Sequence, residues 1–423
     1  MIQLLKKYNI FIIIGVFIIL YNPPILPVNS MHLVGFLSIV FLIVNVGDTY
    51  SKLCYVPFLR FCLFIIIWGI YLLLIILMNG TNECDYIVPI YFLVDVIPFA
   101  LAILKYSQSR KLNSDDFVNL LIGTGLIQAI TAVLAFFVSS VQQLFVQLLI
   151  NYGYGEVYSS IASWRLYGLS GTLTFETPVI QSILAVVVIY KIMKSFSIWS
   201  MCSAILLAFS AIINARTSFV VLAIGIVLLL MLSEIRMSGK IFILVIGMIV
   251  VIAFMYFVLP WLSHYAIDTY RWISEGFDDI SGFFAGNYGE YSYFKYATNA
   301  EKYRLPSPII KAVFGTGHKT IGMMSLYGYS SDVGYTNDIW LGGLTYEVCI
   351  IGYFQRCVWL LYRKSKGIVS ALGLLLLILF PILNIKGLAY TMNGFFNMFM
   401  MLYIITYLFQ IDREEEIVVY GKL

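Results

Sequence analysis

Apolar stretches about 20 residues long recur along nearly the whole chain, and a run of that length matches the hydrocarbon thickness of a bilayer. We read about twelve of them, separated by short polar interruptions. They run approximately Tyr8 to Leu20, Met31 to Val46, Phe58 to Met78, Tyr86 to Leu104, Phe117 to Val138, Gly171 to Tyr190, Phe196 to Ile213, Ser218 to Leu232, Ile241 to Leu259, Ile339 to Leu361, Ile368 to Leu383 and Leu388 to Phe409. Backbone N–H and C=O groups find no water in lipid, so such segments satisfy them internally as helices, and prolines such as Pro98, Pro178 and Pro381 are tolerated among neighbours. The expected fold is therefore an all-α polytopic membrane protein, with residues 1–423 forming a single transmembrane domain. Composition agrees: 61% of the residues are hydrophobic and 11% charged, whereas a soluble domain carries about 25% charged residues. A formal charge of +4 is too mild for a nucleic-acid binder.

Orientation follows from the excess of Lys and Arg expected on the cytoplasmic side. With the amino terminus inside, Lys6, Lys7, Lys52, Arg60, Lys105, Arg110, Lys111, Lys191, Lys194, Arg236, Lys240, Arg356, Arg363, Lys364, Lys366, Arg413 and Lys422 fall on inner loops. Most of the remaining cations, including Lys302, Arg304, Lys311 and Lys319, lie in one long outer loop that the rule discounts. Both termini are thus expected in the cytoplasm. The first apolar stretch lacks a small-residue cleavage site and runs into Tyr21-Asn22-Pro23-Pro24, so it reads as an uncleaved span. Six scattered cysteines without a C-x-x-C pair imply neither a disulfide framework nor a zinc site.

Two outer connections break the pattern of short loops. The smaller covers residues 151–170 and contains Ser163-Trp164-Arg165-Leu166-Tyr167-Gly168. The larger covers 260–337 and is rich in Tyr, Phe and Trp, which argues for an ordered cap rather than a disordered linker. Its Tyr-rich stretch from Asn287 to Tyr303 suits either stacking on sugar rings or packing within the cap.

The chain has no phosphate loop, H-E-x-x-H, dinucleotide fingerprint or G-x-S-x-G elbow, and its three histidines make a multi-histidine metal centre hard to build. The residues that invite chemistry are few. Arg216, in Asn214-Ala215-Arg216-Thr217-Ser218, lies at a membrane boundary, where a guanidinium either grips phosphate oxygens or pairs with a helix end. Arg165 and Arg271 sit in the two long loops and are candidates to join it on one anionic group. Asp332 and Asp338 lie where the long loop returns to the membrane, in Ser331-Asp332-Val333-Gly334-Tyr335-Thr336-Asn337-Asp338. A carboxylate there can serve as a general base, while Asn337 or Asp338 can equally cap a helix beginning near Ile339. Glu176 is placed to orient an arginine or cap a helix, and Asp95 and Glu347 fall within apolar spans, where pairing inside the bundle is expected. The Gly315-Thr316-Gly317-His318 turn either brings backbone close to a ligand or is a plain turn.

The order of these features resembles the Wzy-type O-antigen polymerases and the related O-antigen ligases. It rests on Arg165-Leu166-Tyr167-Gly168, Ala215-Arg216-Thr217-Ser218, Tyr270-Arg271-Trp272, Phe314-Gly315-Thr316-Gly317, Ser331-Asp332-Val333-Gly334-Tyr335 and then Gly342-Gly343 and Ile350-Ile351-Gly352. The resemblance implies a GT-C-like membrane glycosyltransferase of the bacterial inner membrane, with a periplasmic active site under a folded cap and no metal or other cofactor. It would act on undecaprenyl-diphosphate-linked oligosaccharide, with a chain-length regulator and a flippase as partners. In that reading Arg165, Arg216 and Arg271 bind the diphosphate, and Asp332, then Asp338, then His318 are the candidate bases. Glu176, Gly315, Gly317 and Tyr335 support them. The ligases usually carry a His where this chain reads Tyr335-Thr336-Asn337-Asp338, which favours the polymerase, although His318 keeps the ligase reading open. A flippase or transporter for the lipid-linked glycan is the alternative from another class, and it would keep its cations around a midplane cavity.

Overall fold

A computed structural model describes residues 6–25, 29–153, 166, 168–171, 175–232, 234–265, 267–286, 299–321 and 330–411. Among these residues the chain is helical, with no β-strand. In chain order the helices are α1 (Ile10–Tyr21), α2 (Ser30–Val44), α3 (Val46–Leu53), α4 (Val56–Asn79), α5 (Ile87–Ser109, with a π turn at Phe92–Val96), α6 (Ser114–Phe137), α7 (Ser139–Asn151) and α8 (Glu176–Lys194). They continue with α9 (Ile198–Ile212), α10 (Thr217–Met231), α11 (Met237–His264, with a π turn at Phe254–Val258), α12 (Ile267–Ala285), a 3-10 turn at Ala300–Tyr303, α13 (Ile309–Phe314), α14 (Gly334–Lys364), α15 (Gly367–Lys386) and α16 (Gly394–Leu408).

Every apolar stretch read from the sequence coincides with one of these helices. Among the described residues six of them, α4, α5, α6, α8, α11 and α15, are long and apolar enough to cross a membrane. Another five, α1, α2, α9, α10 and α16, are apolar but shorter. Two boundaries and one additional helix differ from expectation. Helix α8 starts at Glu176 rather than near Gly171, because Gly171 is pressed against the Asn22 carbonyl, which would lie 2.1 Å from a Cβ there. Pro178 then falls in the first turn, where its missing N–H costs no helical bond. The long loop does not open at Pro260: α11 runs on to His264, and the π turn just before Pro260 already shifts the hydrogen-bond register. Helix α7, mixed in polarity through Gln142, Gln143 and Gln147, carries no apolar run to announce it.

Helix starts are set largely by asparagine. Asn9, Asn29 and Asn393 accept backbone hydrogen bonds at the starts of α1, α2 and α16, at 3.2, 3.0 and 2.7 Å. Asn113 and Asp116 form a reciprocal capping box on α6. Helix α8 is buried on nearly every face and forms the centre of the bundle, as its unbroken Val, Ile and Leu content demands. Helix α4 instead leaves Leu59, Leu63, Ile66, Ile67, Ile70 and Leu74 exposed, a stripe suited to lipid.

Small residues allow close crossings in the absence of a hydrophobic drive between helices in lipid. Gly394 of α16 meets the Leu20 carbonyl of α1, and Asn397, one turn on, donates to the Ile19 carbonyl at 2.9 Å. One end of the bundle gathers Lys7 with Asp116, Lys52 with Gln108 at 2.6 Å, and Lys194 with Glu234 at 3.5 Å. These are residues that the charge pattern assigns to one side. The opposite end holds the C-terminal ends of α1, α4 and α15 and the N-terminal ends of α8 and α14.

A Cβ at position 394 would lie 1.9 Å from the Leu20 carbonyl oxygen, whereas position 352 has nothing within 4 Å. Gly394→Val is therefore expected to destabilise the protein by about 1–3 kcal/mol or more through overpacking, while Gly352→Ala leaves it nearly unchanged. Thermal unfolding of the two detergent-solubilised variants checks this; equal stability would remove the α1–α16 contact.

Candidate functional site

Helix α14 is broken at Gly343, whose φ of 79° and ψ of 175° depart from helical values. The break frees the carbonyls of Trp340 and Leu341, which need other donors. The 315–317 turn supplies them. Thr316 donates to the Trp340 carbonyl through its backbone N–H at 2.7 Å and its hydroxyl at 2.8 Å, and the Gly317 N–H reaches the Leu341 carbonyl at 3.0 Å. From the other side Tyr71 donates to the Gly342 carbonyl at 2.7 Å. The turn is thus a strap docked into the bundle. Gly315 and Gly343 are required by this backbone-to-backbone approach: both have positive φ, and a Cβ on either would meet backbone atoms of the other segment within 2.4 Å. Gly317 packs on α4, and the Thr81 hydroxyl donates to its carbonyl at 3.1 Å.

Beneath the strap lies a group of charged and polar side chains. Asp338, 5% exposed, accepts from the Asn384 amide of α15 at 3.3 Å. Glu347, 6% exposed and beyond the break, faces Asp338 closely enough for a hydrogen bond and leaves Oε1 without a partner. Lys319 of the strap pairs with Asp85, which precedes α5, and both side chains are largely buried. Trp68 of α4 donates to the Tyr346 hydroxyl at 3.1 Å. Between them is a cavity of about 10 Å³, lined by Asp85, Lys319, Asp338, Trp68, Tyr346 and Tyr390 among others, a volume that suits one water.

Several expectations change here. Neither Asn337 nor Asp338 caps a helix near Ile339, because α14 begins at Gly334 with Val333 as its N-cap. The Asn337 amide serves the strap instead: its oxygen accepts from the N–H groups of Thr320 and Ile321 at 2.9 and 3.0 Å, and its nitrogen donates to the Ser331 and Val333 carbonyls. Asp332 forms an ion pair with Lys386 at 3.3 Å, which leaves it less available as a base than Asp338. Tyr335 donates to the Pro381 carbonyl at 2.9 Å and so ties α14 to α15. His318 stands 3.9 Å from Glu83. Glu176 opens α8, where its charge suits the helix dipole, but Phe175 occupies the N-cap and no side-chain cap bond forms. On the neighbouring 3-10 turn, burial pushes the Tyr303 phenol up from its ordinary value.

The arginines occupy other elements. Arg216, at the N-cap of α10, pairs with Glu275 of α12 and packs along Gly276. Arg271 is exposed on the same α12, five residues before Gly276 and so about 140° around the helix from it. Arg165 and most of the Asn287 to Tyr303 stretch lie outside the described residues. Asp95 pairs within the bundle as expected, its partner being His32. Asp85, Lys319 and Asn384 were not singled out by sequence. The one signal, and only for Asp85 and Asn384, is that each sits in a polar interruption bordering apolar runs.

No family model, curated protein or solved structure matches the chain. What the described residues define is an all-helical protein with several helices able to cross a membrane and a buried carboxylate group strapped into one end.

Removing one partner of a buried ion pair strands the other, at a cost of about 3–5 kcal/mol. Asp85→Leu and Lys319→Met are each expected to destabilise the protein by about that amount, and the double variant by clearly less. A double-mutant cycle from thermal unfolding measures it; strict additivity would show that the pair carries no coupling.

Proposed function

We propose that the chain is a membrane glycosyltransferase that joins undecaprenyl-diphosphate-linked oligosaccharide units into O-antigen or a related surface polysaccharide. In this reading it works in the bacterial inner membrane with both termini in the cytoplasm, and it places the strapped end of the bundle at the periplasmic face. The observation that carries the reading is Asp338, a carboxylate buried beside a water-sized cavity, with Glu347 against it and the Asp85–Lys319 pair opposite. A hydroxyl of the acceptor glycan would lose its proton to Asp338 while its oxygen bonds to the anomeric carbon of the donor. The bond from that carbon to the diphosphate oxygen breaks, and the diphosphate leaves with the electron pair. Negative charge grows on the leaving group, so guanidinium and ammonium groups that reach the diphosphate would stabilise the transition state. Arg216 and Arg271 keep that role here. Glu275 neutralises Arg216 in the free protein and would yield to the more highly charged diphosphate.

A second reading is supported by the break at Gly343. Discontinuous helices that border buried carboxylates also occur in transporters, where they form the substrate site. A flippase for the same lipid-linked glycan would use Asp338 and Glu347 as ion-coupling groups rather than as a base. The ligase reading draws no such support from a particular contact.

Deleting the gene and resolving the lipopolysaccharide on a gel separates these readings. The polymerase predicts core bearing a single repeat unit, whereas bare core would overturn it in favour of ligase or flippase. Restoring the gene as Asp338→Asn is expected to lower long-chain formation by about 100-fold or more with normal protein in the membrane. Arg271→Ala is expected to abolish long chains, and Arg271→Lys to restore them poorly, because an ammonium cannot grip phosphate bidentately. Full-length chains from Arg271→Ala would remove that arginine from the site.

A further inference from the structure

The site above makes no use of the pair formed by His32 and Asp95. Asp95 lies in the π turn Phe92–Val96 of α5 and is fully buried. One of its oxygens meets His32 Nδ1 at 2.7 Å; the other is buried with no hydrogen-bond partner. The π turn places it there, since an inserted residue swings the side chain out of the α-helical register toward α2. Gly35 of α2 makes room: a Cβ there would lie 2.5 Å from Asp95 Oδ1 and 2.6 Å from the Val94 carbonyl. Tyr91 packs its ring on the imidazole with centroids 4.6 Å apart.

A pair that served only to tie α2 to α5 would gain by burying the ring and pairing both carboxylate oxygens. This pair does neither. The His32 side chain is 41% exposed, and Nε2 makes no hydrogen bond among the described residues. With Nδ1–H donating to the Asp95 carboxylate, the ring is fixed in the tautomer whose Nε2 lone pair is an acceptor. Its surroundings are apolar: Leu33, Phe36, Leu37 and Val40 on the same helix are all exposed. The arrangement is one oriented acceptor, backed by a buried carboxylate, at the end of a face suited to acyl or prenyl chains. An acceptor backed by negative charge repels phosphate and favours a hydroxyl donor.

We propose that His32 and Asp95 form a binding site for a sugar hydroxyl of a lipid-linked glycan whose hydrocarbon chain lies along the exposed face of α2. The proposal rests on the glycosyltransferase reading for the identity of its ligand and adds a docking site distinct from Asp338. Asp95 acts here as a positioning residue for His32.

The test uses the full chain in detergent, titrated by native mass spectrometry with a polyprenyl-diphosphate disaccharide, with phosphatidylethanolamine and with phosphatidylglycerol. His32→Ala is expected to weaken disaccharide-lipid binding about tenfold, the loss of one hydrogen bond to a charge-backed group, and to leave both phospholipids unchanged. Asp95→Asn is expected to weaken it as well, because an amide can donate to Nδ1 and turn Nε2 into a donor. On the unaltered protein, saturating disaccharide lipid should protect His32 from diethyl pyrocarbonate. Unchanged affinity in His32→Ala, equal labelling with and without ligand, or a loss confined to phosphatidylethanolamine would overturn the proposal. Asp338→Asn separates this outcome from the broader reading: it should retain disaccharide-lipid binding while losing chain formation. Intact chain formation would sink the Asp338 role alone.

Discussion

In lipid a backbone N–H or C=O without a partner has no water to turn to, and the main interruption of helical geometry among the described residues is built around that fact. That interruption is the break at Gly343. It persists because the strap delivers Thr316 and Gly317 to the freed carbonyls of Trp340 and Leu341. Asparagine does the same work on a smaller scale. Asn384 takes up the Ala389 N–H where α15 ends, Asn393 starts α16, and Asn337 closes the strap. A side chain that offers both a donor and an acceptor can stand in for a missing peptide neighbour on either side, whereas a carboxylate, such as that of Asp116 in the capping box, serves only a free N–H. Asp338 and Glu347 lie on either side of this break.

The second constraint is that charges in such a bundle are held in pairs. Lys7 with Asp116, Lys319 with Asp85, Lys386 with Asp332, Arg216 with Glu275 and His32 with Asp95 account for many of the ionisable groups that the sequence offers. Pairing decides which of them remains available to a ligand. Asp332 looks the better base by position alone, yet its ammonium partner holds it, while Asp338 is hydrogen-bonded by a neutral amide and shares its cavity with a Lys319 that is already paired with Asp85.

This explains what the sequence made legible and what it did not. Helices were legible because apolar runs of bilayer length have few other solutions, and each run expected from the sequence is met by a helix. Helix ends were less so: α8 and α11 are trimmed or extended by local features such as the Gly171 contact and a π turn, which periodicity does not register. The carboxylates of the site were legible as isolated charges in apolar surroundings. Their partners were not, since Lys319 and Asp85 are separated by 234 positions and nothing in either local stretch specifies the other. Gly315 and Gly317 stood out as a turn, but only the approach of a second backbone shows why glycine is needed there.

The two irregular turns also turn out to be neighbours. Trp68 of α4 packs its ring against Phe92 of the π turn, with centroids 5.8 Å apart, and donates its indole N–H to Tyr346, three residues beyond the break in α14. One rigid aromatic side chain therefore touches both the element that presents Asp95 to α2 and the half-helix that presents Glu347 to Asp338. Tyr71, one turn along α4, holds the break itself through the Gly342 carbonyl. Helix α4, which faces lipid along much of its length, earns its place in the bundle through this narrow inner stripe. A helix with so little buried surface can fix two irregular segments because an indole or a phenol supplies a large apolar face and one directed hydrogen bond at the same time.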